Sequence, residues 1–190
     1  MSKYHNVVDA SALVKKYRQE TGWEVIQDLF RREDCAIHVL NTTIPEVVGV
    51  FARWELEKVI PEGEWLILRD LFINDIGNYQ VIIHNVTDRN IEATDDIWKK
   101  SMSVAPPNLP TKHEEITCPK CAYVDKQEIK RKKPRVGSVD VMVLSVCSEL
   151  RSIFTKTYVY LFTSDGHMLK IADKLRINTC DPEKDTTLPF

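Results

Sequence analysis

At both ends of this 190-residue sequence a short apolar run passes directly into an acid that opens a helix. Near the start, Val7-Val8 leads into Asp9-Ala10-Ser11-Ala12-Leu13. Near the end, Tyr158-Val159-Tyr160-Leu161-Phe162 leads into Thr163-Ser164-Asp165. β-Branched and aromatic residues favour strands, and Ser, Thr or Asp accept hydrogen bonds from the free N–H groups of a helix start. A strand handed so quickly to a helix restricts the fold, because parallel strands must be joined by a crossover and that crossover is usually a helix.

The rest of the chain repeats the alternation. Residues 11–32 read as helical with a break near Thr21-Gly22, Ser11 serving as N-cap and Trp23, Ile26, Leu29 and Phe30 forming one buried face. Ala36–Leu40 is a second strand candidate. A helix follows from Ile44 with Pro45 at its first position, carrying Val47, Val48, Phe51, Trp54 and Leu56. Another helix covers 62–74, a strand 79–84, and a helix 88–100. Order resumes at Gly137-Ser138 with a helix bearing Val139, Met142, Val143, Val146 and Leu150, and residues 177–180 supply a last short strand. The pattern predicts an α/β fold, a central mainly parallel sheet flanked by helices in three layers. The runs Val81–Ile83 and Val159–Phe162 are expected to be buried on both faces.

Composition narrows the function. Lys plus Arg number 26 against 28 Asp plus Glu, a net charge of −2, which excludes a wholly basic nucleic-acid binder but not a local basic patch. No GxGxxG follows the first strand and no GxxxxGK[ST] occurs, so cradling of a nucleotide is not the expected chemistry. The longest apolar run, 47–52, falls far short of the roughly 20 residues that span a bilayer. The first residues lack the apolar stretch of a signal peptide, and the five cysteines do not form a disulfide framework. A reduced cytoplasm and no membrane partner are expected.

Four acids occupy informative places. Asp9 and Asp165 follow strands, where an open parallel sheet carries its active site. Glu46 and Asp140 lie in the first turns of expected helices. Each alone has an ordinary explanation, since a carboxylate near a helix N-terminus is favoured by about 0.3–1 kcal/mol. Together they point elsewhere. Clustered carboxylates repel one another unless a cation neutralises them, and hard oxygen ligands suit Mg²⁺ or Mn²⁺.

In this order and context the segments Val-Val-Asp9-Ala-Ser11, Ile-Pro-Glu46-Val, Ser-Val-Asp140-Val and Phe-Thr163-Ser164-Asp165 resemble the acidic motifs of the PIN domain, with VapC-like toxin ribonucleases the most similar subgroup. The resemblance covers residues 4–100 and 137–182. It implies a PIN-like three-layer fold and a metal-dependent endoribonuclease that hydrolyses single-stranded RNA to 5′-phosphate products. Asp9, Glu46, Asp140 and Asp165 would be the catalytic and Mg²⁺/Mn²⁺-binding residues, with Ser11 and Thr163 in support. It also implies a homodimer and, for a toxin, a small antitoxin protein as partner. The alternatives are an inactive PIN scaffold that binds RNA or protein, and a non-toxin RNA-processing nuclease.

Two departures from the family stand out. Many relatives carry a further Asp where this chain has His167, which leaves either a weaker metal site, a substrate contact or an exposed helix histidine. The second departure divides the chain into a nuclease domain, 1–101 and 137–190, and an insertion, 102–136. This segment is proline-rich and aperiodic and reads as a loop. Cys118 and Cys121 have zinc-knuckle spacing, with His113 a possible third ligand and a second copy another source of thiolates. A disulfide and two free thiols are the other readings. Between Lys112 and Arg135, eight Lys/Arg against four Asp/Glu give a local charge of +4, sharpest at Lys130-Arg131-Lys132-Lys133. That run reads either as a phosphate contact or as a solvated loop face. Trp23, Trp54, Trp65 and Trp98 fall on helices, in core packing or on a dimer face.

Overall fold

The computed structural model describes residues 2–79, 81–104, 112–117, 124–129 and 136–190, and of 112–117 and 124–129 the backbone alone. In chain order the elements are β1 (Tyr4–Val8), α1 (Ala10–Leu13), a 3₁₀ turn (Val14–Tyr17), α2 (Trp23–Arg31), β2 (Cys35–Leu40), α3 (Thr43–Leu56), α4 (Glu64–Asn78), β3 (Val81–His84) and α5 (Asp88–Val104). Then come β4 (Lys112–Thr117), β5 (Val124–Ile129), α6 (Ser138–Ile153), β6 (Tyr158–Phe162), α7 (Gly166–Lys174) and β7 (Asn178–Cys180).

Five strands form one parallel sheet in the order β3-β2-β1-β6-β7. Central β1 pairs Tyr4 with Cys35 on one side and Val8 with Phe162 on the other, and all five of its residues are buried. Alternation along the strands divides the core in two. Val8, Ile37 and Val39 pack with Leu13, Ile26, Phe51 and Phe72 from α1–α4. Val7, Leu40, Val159 and Leu161 pack with Ile97, Val143, Leu144 and Met168 from α5–α7. Helices, sheet and helices make the three-layer α/β architecture expected from the alternation.

Several local expectations change. Asp9, not Ser11, caps α1, its carboxylate accepting from Ser11 N–H. The break after the 3₁₀ turn occurs at Gly22, whose φ of +91° is strained for any other residue. α3 begins at Thr43, so Pro45 is its third residue, still among the N–H positions without an intrahelical partner. The run Val81–Ile83 is not buried on both faces: β3 is an edge strand, and Ile82 and Ile83 are exposed. Leu56 is 84% exposed at the end of α3, where the apolar stripe has already turned away from the core. Of the tryptophans, Trp54 is buried and the other three are half-buried.

The insertion expected as a loop contains an antiparallel pair, with Lys112 opposite Ile129 and Thr117 opposite Val124. Lys112–Thr117 holds a single apolar residue, Ile116, and Val124–Ile129 holds apolar residues only at its two ends, so the pair shows no period of two that would mark it as strands. Cys118, Cys121 and the run Lys130–Lys133 lie outside the described residues. Cys35, Cys147 and Cys180 are buried free thiols. No helix among the described residues is long and apolar enough to cross a membrane.

Candidate active site

The parallel sheet directs the carboxyl ends of β1 and β6 to one edge, and both strands end in acid-capped helices. Asp9 N–H continues the ladder to Phe162 carbonyl at 3.0 Å, after which the chain turns into α1. Asp165 caps α7, its Oδ1 accepting from His167 N–H at 2.6 Å and Met168 N–H at 3.1 Å. Glu46 lies in the first turn of α3 and Asp140 in the first turn of α6, where its Oδ2 accepts from Gly137 N–H at 2.6 Å. Four helix N-termini therefore present four carboxylates, each favoured where it stands by the helix dipole.

Asp9 is the most constrained. Its Oδ2 accepts from Ser11 N–H at 3.2 Å, Ser11 Oγ at 2.8 Å and Thr163 Oγ1 at 3.1 Å. Ser11 Oγ in turn accepts from Ser164 N–H at 3.0 Å, and Thr163 Oγ1 from Asp165 N–H at 3.1 Å. Each hydroxyl has a single proton, and both protons go to Asp9. The 3.1 Å approach of the two hydroxyl oxygens is thus a contact between groups already committed elsewhere. This relay joins the starts of α1 and α7 and saturates one oxygen of Asp9. Among the described residues, the other oxygen, Oδ1, receives no donor.

The four acids act on one another. Glu46 is pushed up to about 7, first by the burial of its carboxyl and then by the charges of Asp9 and Asp140, with Arg53 opposing. Asp140 is also raised, by burial and by Asp9 and Asp165, against the stabilising Gly137 N–H. Asp9 is thus felt at Glu46 and Asp140, and Asp165 at Asp140. The structure brings together all four acids singled out in the sequence, with Ser11 and Thr163 binding the first to the last. Arg53 was not anticipated, although it stands seven residues after Glu46 on the same helix, two turns along one face.

Hard oxygen donors with uncompensated mutual repulsion fit a divalent cation of the Mg²⁺ or Mn²⁺ type. Their spacing is open: among the described residues, no three His, Cys, Asp or Glu side chains converge as a ready-made metal cage. His167 contributes its N–H to Asp165, and its ring Nδ1 is buried without a partner. A hollow of about 580 Å³ lined by Phe30, Arg32, Cys35 and Tyr79 lies at the opposite end of the strands and touches none of the acids.

No family model matches the sequence, and no curated protein matches it. Among solved structures, the crystal structure of PAE2754 from Pyrobaculum aerophilum is similar over 89% of this chain and 85% of that one, at 13% identity and a TM-score of 0.42.

Proposed function

We propose that the chain is a metal-dependent endoribonuclease acting on single-stranded RNA. The observation that carries the reading is the electrostatic coupling of Asp9, Glu46, Asp140 and Asp165 at one sheet edge, which adds to burial in pushing Glu46 up to about 7. Structural acids at helix starts have no reason to crowd; acids that share a cation do. These four residues would hold Mg²⁺ or Mn²⁺, which when bound polarises a phosphate and lowers the pKa of a water. Ser11 and Thr163 keep one oxygen of Asp9 occupied and so orient the other. The N–H groups at the start of α7 do the same for Asp165. Without a cation this edge repels an anionic phosphodiester, which supports a cation in the proposed reaction.

Within this reading Lys130, Arg131, Lys132 and Lys133 are phosphate contacts and Cys118 and Cys121 a zinc site. The protein works in the cytoplasm as a homodimer, either as a toxin restrained by a small antitoxin or as an RNA-processing enzyme. The deciding experiment is cleavage of end-labelled single-stranded RNA in Mg²⁺ or Mn²⁺, with EDTA and Asp9→Asn as controls. Cutting that leaves 5′-phosphates and disappears in both controls is expected. Several RNAs left intact by folded, metal-loaded protein would overturn the reading in favour of a non-catalytic scaffold that binds through residues 102–136. Co-purification with a small protein separates toxin from processing enzyme.

A further inference from the structure

Three adjacent strands each place one histidine on the sheet face that packs against α5 and α6: His5 on β1, His38 on β2 and His84 on β3. Their rings form a chain. His5 Nδ1 lies 2.9 Å from His38 Nε2, and His38 Nδ1 lies 2.8 Å from His84 Nε2. His5 is 6% exposed and His38 2%. The far side of His5 is covered by the Phe154 ring, stacked at 3.7 Å between centroids just past α6. On the other flank the Glu149 carboxylate of α6 acts on His84 and is itself held by Asn90 of α5, whose Nδ2 donates to Glu149 Oε2 at 2.9 Å. Among the described residues, the titratable groups facing this chain are the imidazoles themselves and Glu149.

The proton count is restrictive. Each N···N contact needs one proton and one lone pair, and His38 uses both of its nitrogens. A neutral His38 must donate at one end and accept at the other, so three neutral rings complete the chain and give it a direction. The negative charge of Glu149 favours the His84 proton on the outer nitrogen, and in that tautomer the bonds run from His5 to His38 to His84. An added proton places a cation inside an interface whose walls are apolar.

We propose that this chain is an acid-sensitive latch that ties the β3 edge and α5 to the rest of the fold while neutral and loosens them when a proton enters. Burial and the neighbouring imidazoles hold His38 down to about 3, and burial lowers His5 and His84 as well. The unfolded imidazole takes its proton near pH 6.5, long before the folded one. The unfolded state therefore binds more protons below that pH. Stability is complete above it and falls as pH drops towards the folded value. From His38 alone the folding constant decreases about thirty-fold between pH 8 and pH 5.

The test compares urea unfolding of wild type and His38→Gln at both pH values, with ¹⁵N NMR of the wild-type imidazoles through the same range. The wild-type folding constant is expected to lose about thirty-fold more than that of His38→Gln. The His38 ring is expected to stay neutral at pH 5, and amide exchange, corrected for its intrinsic pH dependence, to accelerate in β3 and α5 before β6. An equal pH dependence in the two proteins, a His38 ring that titrates near 6.5, or uniform acceleration across the sheet overturns the latch. If His38→Gln does not fold, the wild-type ring titration and exchange pattern decide.

Discussion

Replacing Glu46 with Gln is expected to stabilise the metal-free protein in alkaline solution and leave it unchanged in acid. Burial and the neighbouring carboxylates push Glu46 up to about 7 in the fold, from an ordinary value of 4.5. Between these values the folded chain keeps a proton that the unfolded chain has lost. The Glu46 contribution to stability is therefore greatest below 4.5 and falls as pH rises through 7. A shift of this size corresponds to about 3.4 kcal/mol at 1.36 kcal/mol per unit. Glu46 is exposed along much of its length, however, and solvent screening reduces the effect to about 1 kcal/mol. Urea unfolding of the two proteins at pH 8.5 and pH 4.5 in metal-free buffer measures it. The histidine chain acts equally on both and cancels in the comparison. A Glu46→Gln protein less stable than wild type at pH 8.5, or equally shifted at both pH values, would refute mutual repulsion among the acids.

Other perturbations probe the supports of the site and the frame around it. Thr163→Val removes the donor to Asp9 and the acceptor for Asp165 N–H in a fully buried position, at a cost of about 1–3 kcal/mol in urea unfolding. Gly22→Ala forces a Cβ into a left-handed residue and against the Pro182 carbonyl, and is expected to destabilise by about 2–4 kcal/mol in the same assay. Phe51→Ala empties the centre of the α1–α4 layer, where Phe51 meets Tyr17 and Phe72 edge to face, and is expected to lower stability by about 3–5 kcal/mol.

The strand–helix alternation was legible because strands of a parallel sheet are rich in apolar residues, as at Tyr4–Val8, which is buried throughout, and because capping acids mark the ends of β1 and β6. The same signal misled at Val81–Ile83. An edge strand and a central one can share an apolar run, and only the strand order distinguishes them. Asp9, Glu46, Asp140 and Asp165 could be singled out from their places before the fold was known. Their coupling depends on four segments converging from across the chain, which local sequence does not report. The relay through Ser11 and Thr163 was half visible: the residues were noted, but the backbone donors Ser164 and Asp165 carry no side-chain signature. The histidine chain was invisible, since His5, His38 and His84 meet only through strand register.

The claim that the four carboxylates form one cation site is tested most directly by calorimetric titration with Mn²⁺ in buffers of different ionisation enthalpy. Burial and the neighbouring carboxylates push Glu46 upward, and any proton it holds must leave when the ion enters. Binding to wild type is expected to release more proton per ion at pH 6 than at pH 9, and to be lost in Asp9→Asn. Binding that survives Asp9→Asn, or that releases no more proton at pH 6 than at pH 9, would contradict a shared site.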